Sequence, residues 1–270
     1  MSEVDRVRDF YDRTVEDEWL RLERNWLEFG VTKAFLNRFL PPSASILDIG
    51  SGPGRYALDL TAAGHAVDLR DLSEQNVAFA KKEAQRRDLR LNSARPGDAR
   101  DLSDLPNDSY DAVLALGPLY HLTSEDDRRR VISEAVRVMK PGGIGAFAFI
   151  SRFAAAHYQL KTDPATIETR RAVIDEFLYE GRHRLAPETD FFVDAHFVDP
   201  SSVAATFGDT GLEQRALFGA ESMMAQSEWR LAALPAAARQ QWLDFAVSVA
   251  ETPAALYGSE HVVFIGEKQD

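Results

Sequence analysis

The sequence predicts an α/β fold built around a mostly parallel sheet. An apolar run at residues 46–49 ends in a glycine-rich turn and is followed by a helical pattern. Short apolar runs then alternate with helical patterns as far as residue 150, an order typical of parallel sheets covered by helices on both faces. With 270 residues, of which 45% are hydrophobic, the chain can bury a full core.

The first predicted strand, residues 46–49, carries the acid Asp48 inside its apolar run. A buried carboxylate is tolerated when it accepts hydrogen bonds. Three glycines follow at alternate positions: Gly50, Gly52 and Gly54. Their spacing lets the backbone turn tightly and approach a ligand without Cβ atoms in between. We expect the helix over Arg55–Ala63 to present its free N–H groups to that ligand.

The second predicted strand lies within residues 65–73 and ends at Asp71, which is 17 residues beyond Gly54. An acid about 20 residues after such a turn can accept hydrogen bonds from both hydroxyls of a ribose. Asp68, inside the strand, is the weaker candidate for this role. Ser73 is placed to cap the following helix, Glu74–Glu83.

A third strand is predicted before Pro96. The fourth predicted strand begins near Asp111, continues through Ala112–Leu116 and stops at Gly117 and Pro118. It delivers Tyr120 and His121 to the carboxyl edge of the sheet, where open α/β folds bind ligands. The pattern then predicts a helix over Glu125–Met139 and a fifth strand over Ile144–Ile150.

The glycine spacing separates the nucleotide-binding families from one another. The dinucleotide fingerprint G-x-G-x-x-G and the phosphate loop G-x-x-x-x-G-K-[ST] both differ from the pattern Asp48-x-Gly50-x-Gly52-x-Gly54. That pattern resembles the first motif of class I S-adenosylmethionine-dependent methyltransferases. The segments at 65–73, 96–102, 109–121 and 137–143 resemble that family's later motifs in order, so that the resemblance covers residues 40–150 closely.

The resemblance implies a Rossmann-like seven-stranded sheet in the order 3-2-1-4-5-7-6, with the last strand antiparallel. It also implies S-adenosyl-L-methionine as cofactor, with Asp71 on the ribose, Leu72 beside the adenine, and Asp98 and Ala99 at the polar edge of that ring. The implied cofactor-binding residues are Asp48, Gly50, Gly52, Gly54, Asp71, Leu72, Asp98, Ala99 and Leu116.

His121 is the candidate general base, with Tyr120 beside it, because a histidine at a strand end titrates near neutral pH. The alternative is that His121 only packs or caps the next helix. His196 and His261 are possible acceptor contacts. No H-E-x-x-H or comparable spacing is present, and we expect no metal site.

Three regions are expected: a helical lid over residues 1–40, a cofactor-binding core over 41–150, and a C-terminal part over 151–270. In the lid, Tyr11 is the residue expected to reach the site. The C-terminal part is predicted to hold helices near 152–160, 164–178 and 201–209, a helical stretch over 220–251, and strands at Phe191–Val198, Leu212–Phe218 and His261–Gly266. Two inserts, 151–200 and 219–260, leave the cofactor side of the sheet and form a helical cap, in which Arg152 is placed to hold an acceptor carboxylate or phosphate.

The sequence therefore predicts methyl transfer from S-adenosylmethionine to the O, N or C atom of a small molecule. The alternatives are a quinone-type C-methyltransferase, a nicotinamide-dependent oxidoreductase, and a cofactor-binding protein without catalysis. The net charge of −12 argues against nucleic acid or anionic membranes as partners. With no visible signal peptide and no apolar stretch of about 18 residues, we expect a cytoplasmic monomer or homodimer.

Overall fold

A mixed sheet with helices on both faces forms the centre of the computed structural model, which describes residues 2–183 and 193–270. The strands are β1 (Ser45–Ile49), β2 (Ala66–Asp71), β3 (Ser93–Pro96), β4 (Tyr110–Ala115), β5 (Met139–Ser151), β6 (Arg182–His183), β7 (Ala195–Val198), β8 (Leu212–Gly219) and β9 (His261–Lys268). The helices are α1 (Glu3–Arg13), α2 (Val15–Arg24), α3 (Trp26–Phe39), α4 (Arg55–Ala62), α5 (Glu74–Arg86), α6 (Glu125–Val138), α7 (Ala154–Thr162), α8 (Ile167–Asp175), α9 (Glu228–Ala232), α10 (Ala236–Val249) and α11 (Pro253–Gly258).

The order of the strands confirms the predicted topology. β3, β2, β1, β4 and β5 lie side by side and are all parallel. β9 runs antiparallel to β5, from Ile144 opposite Glu267 to Ile150 opposite His261, and β8 runs antiparallel to β9. Strand β8 is therefore parallel to β5. Along the chain, β8 and β9 correspond to strands 6 and 7 of the predicted sheet, and they lie in the predicted order 5-7-6.

The number of strands differs from the predicted seven, because the described residues also contain the short pair β6 and β7. β7 pairs in parallel with the last residues of β5, Ile150 and Ser151. This is possible because β4 pairs with β5 only as far as Phe147, so that this edge of β5 is free beyond it, while Ile150 pairs with His261 of β9 on the other edge. The predicted strand Phe191–Val198 is described only over its second part, since Phe191 and Phe192 lie outside the described residues.

Alternation along the strands buries the sheet on both faces. In β1, Ile46 packs into one core while Leu47 and Ile49 pack into the other. In β5, Phe147 and Phe149 face the second core. The apolar runs predicted this arrangement, because a strand covered on both sides has no polar face. Across one face Phe35 of α3 stacks on Phe218 of β8, with ring centroids 3.9 Å apart.

Three local predictions need correction, and the first is the start of the fifth strand, which is Met139 rather than Ile144. The helix predicted at 201–209 is a pair of 3₁₀ turns, Pro200–Ser202 and Ala204–Phe207. Asp199 caps the first turn by accepting the N–H of Ser201. Helix α5 continues to Arg86, beyond the predicted end at Glu83, and its cap by Ser73 is confirmed by the hydrogen bond from the N–H of Asn76. Within residues 2–183 and 193–270, no helix combines the length and apolarity needed to cross a bilayer.

Candidate active site

The glycine turn after β1 is built from left-handed backbone. Gly50, Gly52 and Gly54 have φ values of +64°, +58° and +88°. A Cβ at Gly50 would lie 2.7 Å from Cδ of Pro118, so this glycine lets the segment after β4 pack against the turn. A Cβ at Gly52 would meet only Cγ of Glu18, at 3.9 Å, and would otherwise point into open space.

A first cavity lies at the carboxyl ends of β1, β2 and β4, beside this turn. All the sequence-predicted cofactor residues except Gly54 line it: Asp48, Gly50, Gly52, Asp71, Leu72, Asp98, Ala99 and Leu116. Gly54 instead lies where a Cβ would be 3.0 Å from Cβ of Ala80 and 3.1 Å from Cδ1 of Leu69. Its lack of a side chain therefore serves the packing of α4 against α5 and β2.

Asp71 joins the end of β2 to the glycine turn. Its carboxylate accepts the N–H of Gly52 at 2.7 Å, the N–H of Ser73 at 2.9 Å and the amide of Asn76 at 3.1 Å. Burial nevertheless raises the pKa of Asp71, because desolvation outweighs these donors. Burial likewise raises the pKa of Asp48 to about 7, although the hydroxyl of Ser51 donates to it at 2.6 Å. Asp48 and Asp71 thus present two buried carboxyl groups to one cavity.

Asp98 also lines the first cavity and pairs with Arg100. The guanidinium contacts both carboxylate oxygens, with its terminal nitrogen 2.7 Å from Oδ2, and also reaches Asp127. Despite partial burial, this pairing lowers the pKa of Asp98, so the carboxylate is ionised at neutral pH.

His121 and Tyr11 meet in the wall of the first cavity. The Tyr11 hydroxyl lies 2.6 Å from Nε2 of His121, and Nδ1 of His121 lies 3.3 Å from the carbonyl oxygen of Asp194. Burial lowers the pKa of His121 to about 4, so the imidazole is neutral at pH 7. The neutral tautomer that satisfies both contacts donates from Nδ1 and accepts the Tyr11 proton at Nε2.

Helix α1 is held against this side of the site by polar contacts at both ends. The carboxylate of Glu3 accepts the N–H and the hydroxyl of Thr123, each at 2.8 Å. Arg6 forms an ion pair with Asp194. The hydroxyl of Ser73 donates to Asp12 at 2.5 Å.

A second cavity, of about 760 Å³, adjoins the first. Four residues line both cavities: Tyr11, Glu18, Arg21 and Tyr120. The remaining wall comes largely from the two C-terminal inserts: Ala154, Ala155, Tyr158, Lys161, Thr162, Arg170 and Phe177 from the first, and Glu228 and Glu260 from the second.

The inner end of the second cavity is rich in buried charge. Lys161 lies 2.9 Å from Glu260 and 3.9 Å from Glu228. His261 lies 2.6 Å from Glu221. Burial opposes the charged imidazole, but Glu28 and Glu221 raise the pKa of His261 to about 9, so it is a cation at neutral pH.

Comparison with known proteins finds methyltransferases among the relatives of this chain. A profile described as a methyltransferase domain matches residues 46–143, which span the glycine turn, Asp71, Asp98 and the strand that leads to His121. The chain is 25% identical over 212 residues to a ubiquinone biosynthesis O-methyltransferase of Rickettsia typhi, covering 78% of this chain and 77% of the relative. It is 32% identical over 148 residues to a glycine/sarcosine N-methyltransferase of Parasynechococcus marenigrum, covering 53% and 52%.

The predicted resemblance to the class I S-adenosylmethionine-dependent methyltransferases is confirmed. A solved methyltransferase of Methanosarcina mazei shares its fold, with a TM-score of 0.58 at 19% identity, covering 87% of this chain and 97% of the other. The protein is thus an enzyme that uses S-adenosylmethionine to methylate a small molecule. These comparisons favour methyl transfer over the nicotinamide-dependent oxidoreductase that the sequence left as an alternative.

Two of the sequence-predicted acceptor residues lie away from both cavities of this methyltransferase. Arg152 lines neither cavity; its backbone N–H donates to Val198, and its guanidinium lies near Gly181. His196 lies in β7, where burial, followed by the charge of Arg128, lowers its pKa to about 4.

Sequence reasoning missed most of the charged residues of the methyltransferase's second cavity, among them Glu18, Arg21, Lys161, Glu228 and Glu260. Four of these lie on helical patterns, which gave no signal for them because charged residues on a helix usually face solvent, and Glu260 lies in the short loop before β9. His261 was the exception, since it opens the last strand.

Proposed function

We propose that the methyltransferase holds S-adenosylmethionine in the first cavity and its methyl acceptor in the second. The supporting observation is that the two cavities share one wall of four residues, Tyr11, Glu18, Arg21 and Tyr120. An in-line transfer requires the attacking atom and the methyl carbon to approach within roughly 3–3.5 Å, which adjacent cavities permit.

The residues of the first cavity fit this cofactor. Asp71 would accept hydrogen bonds from the ribose hydroxyls, and the open side of Gly52 leaves room for the cofactor beside the turn. Asp98 and the N–H of Ala99 would contact the adenine edge, with Leu72 and Leu116 against the ring faces. When bound, S-adenosylmethionine supplies a methyl group already activated by its sulfonium.

Tyr11 and His121 form the proton-accepting pair in this proposal. The hydroxyl of Tyr11 would take a proton from the acceptor as its own proton passes to Nε2 of His121, since the two atoms already lie 2.6 Å apart. Tyr120 adds to the same wall, with its ring centroid 4.7 Å from that of His121. Arg152 and His196, which line neither cavity, would influence the acceptor only through the strands they support.

The proposal divides the chain as the sequence indicates. Residues 1–40 act as a lid over the cofactor, residues 41–150 as the binding core, and residues 151–270 as the acceptor cap. We also keep a cytoplasmic location and a monomeric or homodimeric state as parts of the proposal, with no nucleic-acid partner.

Filling the second cavity tests the assignment. Ala155 is buried and lines this cavity alone of the two, so Ala155→Trp should occupy the acceptor space and leave the first cavity intact. We expect loss of labelled methyl transfer to a metabolite extract, with the affinity for S-adenosylhomocysteine unchanged by calorimetry.

The matched control is Ala237→Trp, at an exposed position of α10, which should retain transfer. Full transfer activity in Ala155→Trp would show that the acceptor binds elsewhere.

A further inference from the structure

In the wall of the second cavity, Glu228 places a carboxylate with one oxygen that accepts no hydrogen bond from the described residues. The residue is 1% exposed, and its Oε1 accepts the N–H of Leu27 at 2.7 Å. Its Oε2 accepts no hydrogen bond from any residue in the described ranges. The cation nearest to it is Lys161, whose Nζ lies 3.9 Å away.

The cations around Glu228 already have carboxylate partners. Lys161 lies closer to Glu260, at 2.9 Å, than to Glu228. Arg21 contacts Glu18 at 2.6 Å and Glu28 at 2.5 Å, and His261 contacts Glu221 at 2.6 Å. Each of these three cations therefore has a carboxylate other than Glu228 as its nearest partner.

Burying an ionised carboxylate without a close cation costs free energy, and this cost is reflected in the pKa of Glu228. Burial raises the pKa of Glu228 to about 8, in spite of the N–H of Leu27 and the charge of Lys161. A positive group brought into the cavity would satisfy Oε2 and restore the ionised form. The same cavity is lined by the rings of Tyr11, Tyr120, Tyr158 and Phe197, whose faces attract organic cations.

A metal ion would have to bind at a neighbouring cluster, of which only His261 lines the second cavity among the described residues. Glu28, Glu221 and His261 bring ligand atoms within 4.8 Å of one another. However, Glu221 already accepts the N–H groups of Glu260 and His261 and pairs with the imidazole, while Glu28 pairs with Arg21. A divalent cation there would face two positive side chains that are already in place.

We propose that the methyl acceptor carries a protonated amino group, which binds at Oε2 of Glu228 in the second cavity. This inference rests on the proposed function, because it takes that cavity to be the acceptor site. The ammonium is a recognition group, and the atom that receives the methyl group is a separate part of the same molecule.

Fragments that differ only in charge test the inference. Two scaffolds, phenylethyl and n-butyl, would each be offered as the amine, the alcohol and a carboxylate to protein saturated with S-adenosylhomocysteine at pH 7. Affinities would be measured by ligand-observed NMR titration. On at least one scaffold, we expect the amine to bind about 10-fold or more tightly than the alcohol, as a charge-assisted contact in a dry site provides.

Glu228→Gln should reduce this preference to about twofold or less, since the amide keeps an oxygen for the N–H of Leu27 but carries no charge. The matched control is Glu134→Gln, which changes a carboxylate that also accepts a backbone N–H, from Leu102, but lines neither cavity. This control should keep the full preference for the amine.

The outcomes separate the inference from the proposed function. If no amine binds, if alcohols or carboxylates bind as tightly, or if Glu228→Gln keeps the preference, the inference is wrong, while the Ala155→Trp result still decides the acceptor cavity. If Ala155→Trp abolishes both methyl transfer and amine binding, both are supported. If amine binding survives in Ala155→Trp, the amine site lies outside the second cavity and the inference is overturned.

Discussion

Gly52 and Gly54 lie two residues apart in the same turn, yet their surroundings differ. Both have positive φ, but a Cβ at Gly54 would press on Ala80 and Leu69, while one at Gly52 would project into the first cavity. The alternating pattern predicted a turn that approaches a ligand. It did not separate the glycine that faces the cavity from the glycine that packs the helix, because the neighbours of Gly54 come from β2 and α5.

We predict that Gly52→Val abolishes binding of S-adenosylmethionine while the protein stays folded. A β-branched side chain would fill the open side of the turn and would resist the left-handed backbone. Calorimetry with S-adenosylhomocysteine and thermal unfolding would measure the two effects.

The control for this substitution is Gly64→Val, at another left-handed glycine, with φ of +95° and, among the described residues, no neighbouring heavy atom within 4 Å of its Cβ position. It carries a comparable backbone strain, of order 1–3 kcal/mol, without touching the cavity. If Gly52→Val bound S-adenosylhomocysteine with wild-type affinity, or if both variants lost the same affinity, the turn would not be the cofactor site.

At the scale of elements, helix α1 completes a site whose other parts come from the sheet. Tyr11 of α1 meets His121, which lies in the 3₁₀ turn Pro118–His121 after β4. The aromatic positions of residues 3–40 predicted helices and singled out Tyr11. The distance between Tyr11 and His121 depends on how α1 docks, through Glu3 and Arg6, on the loops after β4 and before β7.

We predict that Tyr11→Phe and His121→Gln each slow methyl transfer by about 10²–10⁴-fold, the usual contribution of a general base. If the proton passes through one hydrogen-bonded pair, the double variant should be no slower than the worse single variant. Initial rates of labelled transfer at saturating S-adenosylmethionine would measure this, with cofactor affinity as the control. Losses that multiply in the double variant would mean that the residues act independently.

The two inserts bring together charged side chains that are far apart in the sequence. Lys161 lies on α7, Glu228 begins α9, and Glu260 precedes β9, so almost 100 residues separate charges that lie within 4 Å of each other. The topology predicted that both inserts would leave from the cofactor side, as β5 and β8 are parallel. Which side chains they bring together depends on packing that short-range patterns do not contain.

For the whole molecule, the buried charges connect stability to pH. The folded protein raises the pKa of His261 from its ordinary value of 6.5 to about 9, against the effect of burial, through Glu28 and Glu221. A raised pKa in the folded state means that the stabilisation is fully present below about pH 6.5 and is lost as pH rises through about 9.

We predict that the free energy of unfolding of the wild type, minus that of His261→Gln, falls between pH 6.5 and pH 9. The shift corresponds to roughly 3 kcal/mol at most. Urea unfolding across this range would measure it, and the raised pKa of Glu228, common to both proteins, cancels in the difference. A difference that does not change with pH would show that His261 is uncharged in the folded protein.

The sequence by itself determined the apolar strands and the glycine turn, and its resemblance to the class I S-adenosylmethionine-dependent methyltransferases implied the sheet order and the cofactor. The strands and the turn follow from local patterns, since strands buried on both faces read as apolar runs and the turn requires glycine at positions fixed by backbone geometry. The tertiary structure alone decided the joining of two cavities through Tyr11, Glu18, Arg21 and Tyr120, the removal of Arg152 and His196 from both, and the charged wall around Glu228. Those features arise where side chains far apart in sequence are buried together. A charged side chain loses its hydration when it is buried, so it needs an opposite charge or a hydrogen bond in place of water.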